Sequence, residues 1–103
     1  MNTKKYDIIL TDMAKSELVE IYQYIFNNLK EPKIADKLME KIETEILSLE
    51  ISPYRCMEIH IKLKNQVYRR LVVENYVVLY RVIEEEKKVV IFKILYGGRN
   101  YLK

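Results

Sequence analysis

A chain of 103 residues, half of them hydrophobic, has room for one core and not two, and needs neither disulfide nor metal to close it. Charged residues make up 32%, with two glycines and two prolines, which excludes a disordered or loop-dominated chain. Net charge is +3, but unevenly spread: residues 1–50 hold 7 Lys against 10 acidic residues, and residues 51–103 hold 11 Lys and Arg against 5.

All five arginines, Arg55, Arg69, Arg70, Arg81 and Arg99, lie in the basic half, with six of the nine tyrosines. The planar guanidinium fork suits phosphate and carboxylate better than the lysine ammonium does. That asymmetry is compatible with a polyanionic target, an acidic protein partner, or ordinary surface chemistry on a sheet. No stretch approaches the roughly 20 apolar residues of a membrane span. Residues 1–5 carry no apolar signal core before Asp7, and the single Cys56 cannot form an internal disulfide. The expected setting is the reducing cytoplasm, with no membrane partner.

In chain order, residues 6–10 predict a short strand with Tyr6, Ile8 and Leu10 on one face. Thr11 and Asp12 offer N-cap oxygens for a helix starting near Met13, whose apolar face is Leu18, Ile21, Tyr22, Ile25 and Leu29. Pro32 suits a first helical position, and a second helix over about 32–50 carries Ala35, Leu38, Met39, Ile42, Ile46 and Leu49 as its stripe. The short connection predicts an antiparallel hairpin. Ser52-Pro53 ends the second helix.

Residues 54–66 are the least regular. Positions 58–64 alternate like a half-buried strand, which leaves open a sheet-edge strand or an ordered loop. Strands over 67–73, 76–83 and 88–96 follow, joined by turns at Glu74-Asn75, where Asn75 suits a positive φ, and at 84–87. The predicted architecture is a single α+β domain over 1–103: a strand, an antiparallel helical hairpin, then a three-stranded antiparallel meander.

The chemistry is narrowed first by what is missing. There is no glycine-rich phosphate loop, paired-histidine motif or CxxC, and one His with one Cys makes no structural zinc site. Cys56 and His60 are four apart but lack a third group to orient them, and Glu84-Glu85-Glu86 reads as a solvated turn. No metal or other cofactor is expected.

What remains is Arg, Lys and Tyr on a sheet. Alternation puts Tyr68, Arg70 and Val72 on one face, and Arg69, Leu71 and Val73 on the other. On the next strand Arg81 shares a face with Val77, Leu79 and Ile83, opposite Tyr76, Val78 and Tyr80. Periodicity does not say which face meets the helices. Tyr68, Tyr76 and Tyr80 read best as buried strand formers. Tyr96, Arg99 and Tyr101 sit at or beyond the last strand, within reach of the sheet rim, and Tyr96 and Tyr101 with Arg55 and Arg70 are the candidate binding residues.

The ordered set also resembles a known family. Residues 6–11 with Ala14, Leu18, Ile21, Tyr24 and Ile25 resemble the opening of RelE/ParE toxins, as does Leu49-x-x-x-Pro53-x-Arg55 after the helices. The stronger match is the series 68–71, 75–82 and 90–99, the last ending Tyr96-Gly97-Gly98-Arg99, so the likeness spans about residues 6–101. It implies the same fold and a cognate antitoxin partner in a toxin–antitoxin hetero-oligomer. It implies one of two targets: mRNA on the ribosome for RelE-like ribonucleases, or DNA gyrase for ParE-like toxins.

Against the RelE-like pattern, Arg69 fills the first of two alternating basic positions but Leu71 holds the second. Val77 stands where a basic residue is expected, Arg99 matches, and Tyr101 comes too soon to match a tail tyrosine. The resemblance therefore implies the ParE-like branch. Arg69, Arg81 and Arg99 are the catalytic candidates if the chain is a ribonuclease, and Glu58 and His60 serve in an alternative arrangement.

Overall fold

The computed structural model describes residues 5–29, 32–61 and 66–97. Its elements are β1 (Asp7–Leu10), α1 (Asp12–Leu29), α2 (Pro32–Leu47), β2 (Met57–Ile61), β3 (Gln66–Val73), β4 (Tyr76–Ile83) and β5 (Lys88–Tyr96). Short 3₁₀ turns at Ser48–Glu50 and Glu84–Glu86 close α2 and link β4 to β5.

Thr11 caps α1: its hydroxyl oxygen accepts from the Ala14 N–H at 3.1 Å and donates to the Phe92 carbonyl at 3.1 Å. The apolar residues of α1 and α2 recur at three and four, so each helix presents one stripe: Ala14, Ile21 and Ile25 from the first, Ala35, Ile42 and Ile46 from the second. The Tyr22 hydroxyl donates to Asp36 at 3.0 Å, while Lys15 and Leu18 border the same groove as Glu43, so the helices run antiparallel. The second helix loses its α-helical turns at Leu47, three residues before the expected end, by tightening into the 3₁₀ turn that carries the buried Leu49.

The five strands form one sheet in the order β1-β5-β4-β3-β2, with β1 parallel to β5 and every other pair antiparallel. Residues 57–61 are thus a strand, paired with 70–66 of β3, and the predicted three-stranded meander gains a fourth member. The helices cover one face of the sheet. Their stripes meet Leu71, Val73, Tyr76, Val78, Tyr80, Val89, Ile91 and Ile94, each large side chain contributing about 1.5–3 kcal/mol by leaving water. A second cluster of Val77, Leu79 and Leu95, with Ile59 and Phe92, lies on the other face and contains no helix residue.

Between Leu79 and Tyr80 the pairing with β5 shifts: Leu79 faces Lys93 but Tyr80 faces Ile91, so Phe92 is the extra residue of a bulge. β1 has ended by then, and α1 covers the edge of β5 that it leaves. The Ile94 N–H donates to the Glu17 carboxylate at 2.8 Å, and Lys93 pairs with the same carboxylate at 2.8 Å. The β3–β4 turn differs from expectation. Glu74, not Asn75, has the positive φ, 56°, as a turn with its left-handed residue first requires. Asn75 instead offers its carbonyl to the Gly97 N–H at 2.6 Å, where a Cβ on Gly97 would meet that oxygen at 3.1 Å.

Candidate functional site

Leaving α2, residues 51–56 cross one end of the sheet before becoming β2, and buried or half-buried polar groups hold this strap. The Tyr80 hydroxyl, fully buried, donates to the Pro53 carbonyl at 2.7 Å. Burial is the first reason that this phenol is pushed above its ordinary ionisation range. Arg55 reaches back to the end of α2, donating to the Ser48 hydroxyl and to Glu45.

Arg69 clamps the strap. Its guanidinium donates to the carbonyls of Tyr54 at 3.2 Å and Cys56 at 2.7 Å, pairs with Glu58 at 3.0 Å and lies 5.0 Å over the Tyr54 ring. Its side chain is only 17% exposed. These partners follow from register, since Glu58 is opposite Arg69 across β2–β3.

Outside the clamp, the Glu84 carboxylate accepts from the hydroxyls of Tyr6 and Tyr54, each at 2.6 Å, and pairs with Lys87. Lys87, then Tyr54 and Tyr6, hold the Glu84 carboxyl down to about 2, and the bond to Glu84 pushes the Tyr54 phenol up to about 12. Lys87 is left-handed, with φ of 53°, which turns its ammonium back over Tyr6 at 4.8 Å from the ring centre. Sequence reading had seen only a solvated turn at 84–86. Lys87 is a local partner, three residues on, but the two tyrosines that bond Glu84 lie 30 and 78 residues away, where no local signal announces them.

Among the described residues, the candidates do not converge on one point. Arg69 and Leu71 share the face that meets the helices, where Leu71 is buried. Arg70, Val72, Val77, Leu79 and Arg81 lie on the opposite face. The alternating pair that shares a face with Val77 is therefore Arg70 and Val72, again one basic and one apolar residue. Val77 itself is buried in the second apolar cluster, and Val72 is 56% exposed.

Arg70 opposes Leu79, and Arg81 lies 5.9 Å over the Tyr68 ring, which makes the two arginines diagonal neighbours, about 7–8 Å apart at the backbone. Tyr68, Tyr76 and Tyr80 are all buried, as strand formers. Tyr96, half exposed at the end of β5, meets Tyr76 edge-on at 5.7 Å. Arg99 and Tyr101 lie outside the described residues, as does the side chain of His60. Among the described residues no group of His, Cys, Asp or Glu is placed to hold a metal, and no helix is long and apolar enough to cross a membrane.

A third surface escaped the sequence reading. Between α1 and α2, away from the sheet, lies an open groove of about 470 Å³ lined by Leu18, Val19, Tyr22 and Met39, with Lys15 and Glu43 at its sides. Its signal was Val19, an apolar residue beside rather than on the stripe of α1.

No curated protein matches this chain. Among solved structures, the toxin–antitoxin system ParDE from the chromosome of Pseudomonas aeruginosa matches with a TM-score of 0.71 at 19% identity, covering 91% of this chain and 98% of the other. A RelBE toxin–antitoxin complex of Mycobacterium tuberculosis matches with a TM-score of 0.63 at 18% identity, covering 95% and 98%. The archaeal RelE–RelB complex of Pyrococcus horikoshii matches at 0.52 and 14%, covering 93% and 99%. At such identities the likeness shows a shared fold. The sequence model of the ParE toxin of type II toxin–antitoxin systems matches residues 8–101, nearly the whole chain, and the chain therefore belongs to that family.

Proposed function

We propose that this chain acts as ParE-like toxins do, by binding DNA gyrase in the cytoplasm, without a catalytic site, and that a cognate antitoxin neutralises it. The observation that carries this reading is the fate of the charges a ribonuclease would need. Stabilising a phosphoryl transition state requires preorganised donors aimed at the substrate. Here the Arg69 fork is held by two carbonyls and a carboxylate of its own chain, and Val77 sits in an apolar cluster on the opposite face. The solved ParDE and RelBE relatives are toxin–antitoxin systems, which supports a dedicated antitoxin here. The groove between α1 and α2, apolar on its floor and charged at its sides, suits an amphipathic segment of such a partner.

One observation favours a second reading, a RelE-like endoribonuclease acting on ribosome-bound mRNA. Arg70 and Arg81 share a sheet face beside Tyr68, an arrangement that suits a phosphate backbone. A paired assay separates the two. Purified protein is added to gyrase with relaxed plasmid, and to a reconstituted translation system. The ParE-like reading expects loss of supercoiling with accumulation of cleaved DNA, and intact mRNA on the ribosomes. Cleaved mRNA with unaffected gyrase would establish the ribonuclease, and unimpaired growth on induction without antitoxin would sink both.

A further inference from the structure

We draw no further inference here: the strongest candidate, the open apolar groove between α1 and α2 lined by Leu18, Val19, Tyr22 and Met39, already belongs to the antitoxin reading above, and nothing among the described residues shows what else covers it.

Discussion

Replacing Arg69 by methionine separates a clamp from a catalytic residue. The substitution keeps most of the aliphatic length and removes the fork, leaving the Tyr54 and Cys56 carbonyls and the Glu58 carboxylate without their donor. Hydrogen bonds from a charged group are worth about 1.5–3 kcal/mol each when fully desolvated. The strap lies at the surface, water can reclaim the carbonyls, and Glu58 is half exposed, so its ion pair contributes at most about 1 kcal/mol. Adding about 0.5–1 kcal/mol for the lost contact with the Tyr54 ring, the loss sums to about 2–4 kcal/mol. At roughly 4 °C per kcal/mol for a chain of this size, Tm falls by about 8–16 °C. Circular dichroism melts of the two proteins at neutral pH measure this. With the temperature held well below the variant's melt, its effect on the target is expected to persist. An unchanged Tm together with abolished toxicity would refute the clamp and make Arg69 a target-contacting residue.

Two further outcomes follow from the same polar and apolar sets. The Glu84 carboxyl is held below its ordinary range, so the stability it contributes is full above about pH 4.5 and lost as pH falls toward about 2. Glu84→Gln is therefore expected to be less stable than the parent at pH 6 and to lose less of its Tm between pH 4.5 and 2, and parallel melting curves across that window would contradict the assignment. Leu79, in the second cluster, is 1% exposed. Leu79→Ala is expected to cost about 2–5 kcal/mol in urea unfolding, whereas a cost near zero would mean that the helix-free face is not a packed core.

Much of the fold could be read from periodicity because the helical stripes and three of the strands are long and bounded by capping or turn residues. Position 57–61 could not be decided, since a five-residue alternation beside an irregular strap is equally a loop until β3 is there to pair with it. The facing of β3 was undetermined for a similar reason. Both parities carry one arginine and one or more apolar residues, and it is the packing of Leu71 and Val73, with Val78 and Tyr80 of β4, against the helical stripes that fixes which side meets the helices. The charges of the site were legible as residue types, but their use was not. Arg69 binds carbonyls 13 and 15 residues away, and a main-chain acceptor leaves no mark in a sequence. Pro53 and Arg55, which carried part of the family resemblance, prove to be parts of the strap, and Tyr54 between them joins Arg69 to Glu84.

The parallel pairing of β1 with β5 joins the first strand of the chain to its last, with Asp7 beside Lys88 and Leu10 beside Ile91. Some eighty residues must be synthesised between the two partners. A chain still on the ribosome holds its helical hairpin early, because those contacts are local, but cannot close the sheet until β5 has emerged. The helical hairpin can therefore stand before the sheet does, and the sheet closes only once β5 is free to reach β1.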